Sequence, residues 1–202
     1  MQKILIIILT ALCGFTHADE SPSETYYKKM ELAEAEYRVN LAREIKGADR
    51  IVLYIVDFDL LSDLRGDDFS KGNPRSVLIA PYKKKTKILK TKPLTVKERN
   101  QITELLSKQI AVKNHMGGAL CHYPIHGIRI FKDGKIIHEG TFCWVCGNFS
   151  FSYPEGSQWL DATPEMKALF NRLLPIPESE IERFHKAHPA VDPSNSSKDK
   201  TK

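Results

Sequence analysis

Ile125-His126-Gly127-Ile128-Arg129-Ile130-Phe131-Lys132-Asp133-Gly134-Lys135-Ile136-Ile137-His138-Glu139-Gly140-Thr141-Phe142 is the stretch on which the fold turns. Two runs rich in β-branched and aromatic residues are separated by Asp133-Gly134 alone, a pair that tolerates positive φ at both central positions of a type I′ turn. The spacing predicts a β-hairpin over 125–142. The alternating NFSFSY of residues 148–153 extends it by a third strand. In the ideal register of that turn Lys132 faces Lys135, Arg129 faces His138, His126 faces Thr141 and Cys121 faces Cys146.

Working outward, IVLYIVDF at 51–58 is too β-branched and too evenly apolar for a surface helix and reads as a buried strand. Residues 60–76 form a polar loop. Residues 77–82 and 86–89 flank Lys83-Lys84-Lys85 as a second strand pair, with Pro81 favouring an edge or a bulge. Helices fill the intervals. Ser21-Pro22-Ser23-Glu24 opens one over 21–46, with Met30, Ala33, Tyr37, Leu41 and Ile45 on one face and Gly47 as its stop. Thr95-Val96-Lys97-Glu98 is a capping box for a second, with Val96, Ile102, Leu105, Leu106 and Ile110 along one stripe. Thr163-Pro164-Glu165 starts a third carrying Met166, Leu169, Phe170 and Leu173, and 178–188 adds a short fourth. Strands in local pairs interrupted by helices predict an α+β fold with a mainly antiparallel sheet, hairpins around 77–89 and 125–153, one domain over 50–188, and a disordered tail from 189.

Composition agrees. Of 202 residues, 42% are apolar and 27% charged, enough to bury one core and too apolar for general disorder. No apolar run reaches the ~18 residues that a spanning helix needs. The first segment is instead an address. Lys3, the apolar run at 4–12 and Thr16-His17-Ala18 before Asp19 form a secretory signal peptide with cleavage expected after Ala18, which sends the protein to the periplasm or beyond the cell. A lipid anchor on Cys13 is disfavoured because bulky Leu12 occupies the position where a small residue is expected. Removing the signal takes one lysine from a formal charge of +5, which leaves a mildly basic chain and no case by itself for a nucleic-acid partner. The protein is expected to be monomeric.

Beyond the signal the cysteines are Cys121, Cys143 and Cys146, an odd number in an exported protein. The hairpin register draws them into one neighbourhood with His126. Cys121, His126, Cys143 and Cys146 thus supply three thiolates and an imidazole, the donor set of a closed tetrahedral zinc site. One disulfide with a spare thiol satisfies the same count, and so does a reactive thiol at Cys143 or Cys146 with His126 as its base. Two other readings of the C-x-x-C fail. A thioredoxin-like motif opens a helix, whereas Gly147-Asn148 leads into a strand; a c-type haem motif needs His where Gly147 stands.

The string Cys121-His122-Tyr123-Pro124-Ile125-His126-Gly127-Ile128-Arg129-Ile130, followed by Phe142-Cys143-Trp144-Val145-Cys146-Gly147-Asn148, resembles a motif of a group of uncharacterised exported bacterial proteins. These pair C-x-x-P-x-H text with a C-x-x-C turn. The resemblance spans about residues 50–175, with its specific part at 121–148, and it implies a shared domain and a shared site, Arg129 included, without an activity.

Lys83, Lys84, Lys85 and Lys87 head a basic stretch that suits a polyanion, although lysine on an exposed hairpin also guards a sheet edge against aggregation. The aspartates from Asp57 to Asp68 suggest calcium, but Leu61 and Phe69 spoil an EF-hand loop in a frame starting at Asp57 or Asp59, and a solvated loop is the expected reading. The expected function is that of a small exported binding or interaction module with a zinc-like site on its hairpin. A thiol or redox enzyme and a disulfide-stapled domain without metal are the alternatives.

Overall fold

The computed structural model describes residues 22–61, 72–111, 121–151 and 159–189; the predicted signal at 1–18, most of the 60–76 loop and the tail from 190 lie outside them. The elements run α1 (Pro22–Lys46), β1 (Arg50–Leu61), β2 (Ser76–Ile79), β3 (Lys84–Pro93), α2 (Val96–Ala111), β4 (His126–Lys132), β5 (Lys135–Cys143), β6 (Asn148–Phe151), β7 (Trp159–Asp161), α3 (Pro164–Leu173) and α4 (Glu178–Ala187). The chain divides into a unit ending at Glu34 and a body beginning at Ala35. In the first unit Tyr26, Tyr27, Met30 and Leu32 are exposed.

The body is an α+β fold. Its seven strands lie in the order β2-β3-β1-β4-β5-β6-β7, and every neighbouring pair is antiparallel. Asp133 and Gly134 turn the central hairpin at φ 50° and 72°, the backbone that their sequence predicts. Residues 80–82, around Pro81, form a 3-10 turn between β2, an edge strand, and β3.

Both faces of the sheet centre are covered, which is why 51–58 reads as a continuous apolar run rather than an alternating one. Ile51, Leu53 and Ile55 point into the larger core with Ile128, Ile130, Phe142 and Phe149, packed by Leu41 and Ile45 of α1, Ile102 and Leu106 of α2, and Met166 and Phe170 of α3. Val52, Tyr54 and Val56 face the other side with Val77 and Phe131. The capping box at α2 forms: Glu98 N–H donates to Thr95 Oγ1 at 3.3 Å and Thr95 N–H to Glu98 Oε2 at 2.9 Å. Thr163 caps α3 by accepting from Met166 N–H at 3.2 Å.

The ideal hairpin register holds only next to the turn. Lys132 faces Lys135 and Phe131 faces Ile136, but Ile130 then faces His138, leaving Ile137 as an extra residue in β5. Beyond this bulge Arg129 faces Glu139, not His138, and His126 faces Phe142, not Thr141. The bulge has a physical cause. Arg129 and Glu139 are both buried, and the bulge brings the two charges to 2.9 Å on one face. His138 moves to the other face, where its Nε2 meets Glu44 Oε2 at 2.7 Å.

Candidate functional site

β5 ends at Cys143, and residues 144–147 turn the chain into β6, with Gly147 at φ +64° where a side chain would be strained. Segment 121–125 runs beside this turn. Ile125 N–H donates to Phe142 O at 3.1 Å, and Ile125 O accepts from Val56 N–H at 3.0 Å, so the segment is stitched between β1 and β5. Cys121 and Cys146 are joined as a disulfide, the pair that the simple turn register set opposite one another. Cys143 remains free and buried. Its sulfur accepts backbone N–H groups from Tyr123 and Cys146, each at 3.3 Å. Burial pushes the Cys143 thiol above its ordinary pKa, against those N–H donors, which pull the other way.

The two histidines of the motif are held in opposite tautomers by their partners. His122 sets Nδ1 2.6 Å from Asn148 Oδ1 and Nε2 2.9 Å from Thr141 Oγ1. Asn148 Nδ2 donates to Cys121 O at 3.1 Å, which fixes the amide and makes its oxygen the acceptor. His122 Nδ1 therefore carries the proton, and Nε2 accepts from the threonine hydroxyl. In His126 the order reverses. The Trp144 indole can only donate, and it does so to His126 Nδ1 at 2.8 Å, while Nε2–H donates to Leu174 O at 2.9 Å. Burial holds both imidazoles down at about 4, so each is neutral at pH 7. His122 also packs against Trp159, with ring centroids 4.8 Å apart, and Tyr82 closes on Trp159 at 5.1 Å.

The four residues of the zinc-like set are thus placed as follows. Two sulfurs are bonded to each other, the third takes two backbone donors, and His126 spends both nitrogens on Trp144 and Leu174. Among the described residues no cluster of three or more His, Cys, Asp or Glu is arranged to hold a metal. His126 has no nitrogen left to act as base for a cysteine in this arrangement. Arg129 is an anchor rather than a surface residue. Its Nη2 donates to Glu139 Oε1 at 2.9 Å and to the carbonyls of Asn73 and Ser76, each at 2.6 Å, while Glu139 accepts from Gly72 and Leu78 N–H. Lys83, Lys84 and Lys87 are exposed, whereas Lys85, paired in register with Leu78 of β2 and Leu61 of β1, is buried and drops out of the basic surface.

Sequence reasoning passed over His122, Thr141 and Glu139 as members of the site. The signal for His122 was position, since it directly follows Cys121 of the motif, and Asn148 lies two residues beyond Cys146. Glu139 gave none, because its pairing depends on the bulge. No family model, no curated protein and no solved structure matches the chain. Among the described residues no helix is long and apolar enough to cross a membrane.

Proposed function

We propose that the chain is a small exported binding module in which the Cys121–Cys146 cystine acts as a staple and not as a redox centre. The observation that carries this reading is the hydrogen-bond state of the site. Both nitrogens of His122, both nitrogens of His126 and the sulfur of Cys143 are committed to protein partners. A catalytic thiol needs access and a lowered pKa, and Cys143 is buried with its pKa raised. Export is supported by the signal-like start of the sequence and by the cystine itself, since structural disulfides form and persist in oxidising compartments and are rare elsewhere. Alkylation kinetics test the proposal. Native protein at neutral pH should lose its free thiol at least about 100-fold more slowly than an exposed cysteine, and His126→Gln should not slow it further. Fast alkylation that falls in His126→Gln would establish the thiol enzyme instead.

A second reading keeps Cys121, His126, Cys143 and Cys146 as zinc ligands in a reduced chain. It is favoured by the two backbone N–H groups on Cys143, which stabilise a thiolate once a metal displaces the proton. It requires the cystine to open and His126 to release one partner. Native mass about 63 Da above the metal-free chain, lost with denaturation, would establish it.

A further inference from the structure

A cavity of about 150 Å3 is lined by Ile125 of segment 121–125 and by residues of β1, α3 and α4. Ile55, Ile125, Ile176, Ile181 and Phe184 make it predominantly apolar. One group in its lining does not fit such a wall. The side-chain oxygen of Asn171 is buried and has no hydrogen-bond partner among the described residues. An amide carbonyl enclosed by hydrocarbon is unfavourable unless a donor reaches it, and here that donor has to come from outside the described residues' own groups, as a water or a ligand.

The remaining polar lining is balanced. Lys167 and Glu180 carry opposite charges, and Glu180 is held by Arg183 Nη2 at 2.7 Å. The same guanidinium binds Asp57 at 2.7 Å and Asp59 at 3.0 Å, and lies 3.9 Å from the centroid of the Phe58 ring. It thereby fastens α4, one wall of the cavity, onto the irregular stretch of β1 between Val56 and Leu60. The site is preformed, and a charged ligand would find no uncompensated partner in it.

We propose that this cavity binds a small uncharged ring compound bearing one hydroxyl or N–H that donates to Asn171 Oδ1. The volume sets the size, because an apolar cavity of about 150 Å3 accommodates a single benzene-sized ring. The unpaired carbonyl sets the polarity, since it accepts and cannot donate. This assignment rests on the reading of the chain as a binding module and names the class of ligand.

Phenol and toluene, which differ by a hydroxyl against a methyl, are the probes, and isoleucine methyl resonances of the exported protein report where they bind. Phenol should shift the methyls of Ile55, Ile125, Ile176 and Ile181 and leave Ile45, Ile102 and Ile110 in place. In Asn171→Leu the ratio of toluene Kd to phenol Kd should fall about 10-fold, because only phenol loses a hydrogen bond. The same variant should melt no lower than the parent, since it removes an unpaired buried amide. A ratio that does not change, shifts spread over the distant isoleucines, or no binding of either probe would overturn the proposal. So would a lower Tm in Asn171→Leu, which would mean that the amide is structural. A reactive Cys143 alongside the expected phenol selectivity would remove the stapled-module reading and leave the cavity assignment standing; a silent cavity beside an inert thiol would do the reverse.

Discussion

His126 sits between the Trp144 indole and the Leu174 carbonyl, and protonating it would set a new Nδ1–H against the indole N–H that now donates to that nitrogen. His122 is similarly closed by Asn148 and Thr141. Both have native pKa values below the ordinary 6.5, so the unfolded chain binds more protons than the folded one between pH 6.5 and 4. Their stabilising contribution is complete above pH 6.5 and is lost as pH falls towards 4. By pH 5 each imidazole should have withdrawn roughly 2 kcal/mol of unfolding free energy, and urea unfolding between pH 7 and 5 checks this. His122→Gln and His126→Gln should each flatten that slope by about one proton. The Arg129–Glu139 pair makes a second prediction. Either Arg129→Met or Glu139→Gln should cost about 3–5 kcal/mol by stranding a buried partner, and a double-mutant cycle should return a coupling above about 1 kcal/mol. Additive losses would contradict the pairing. These roles were only partly legible: a histidine beside a cysteine can be singled out from sequence, but its tautomer depends on Thr141, Trp144 and Leu174, which arrive from other elements.

At the scale of elements, the turn at Asp133-Gly134, the capping box at Thr95 and the N-cap at Thr163 were readable because their determinants are local. The bulge at Ile137 was not, since it follows from the long-range need to pair Arg129, and a one-residue slip carries every residue beyond it to a new partner. β7 escaped notice because three residues show no period. Gly140 offers a test of how β5 meets β6. A Cβ there would collide with the Ser150 carbonyl and lie 2.6 Å from Phe151 Cδ1, so backbone would have to move. Gly140→Ala should therefore lose about 3 kcal/mol or fail to fold, whereas Thr163→Ala, which removes one cap, should lose about 1 kcal/mol. Chemical denaturation of the two variants side by side measures the contrast.

Over the whole molecule, the α+β class with an antiparallel sheet was legible from alternation and turn residues, but the closure of both sheet faces depends on the full strand order. The cystine is the one covalent tie among the described residues across that fold, and it spans 25 positions. Opening it should cost about 3 kcal/mol through the freedom regained by the unfolded chain, which Cys121→Ser and Cys146→Ser should each reproduce in urea. The central claim is that Cys121 and Cys146 are bonded while Cys143 stays a sheltered thiol. Intact mass with thiol alkylation, followed by peptide mapping of the exported protein, tests it most directly. The account predicts a mass about 2 Da below the fully reduced chain, a linked Cys121–Cys146 peptide, and a single adduct on Cys143 that forms only after denaturation. A native mass about 63 Da heavier with three thiols alkylated on unfolding, or a bridge that contains Cys143, would contradict it.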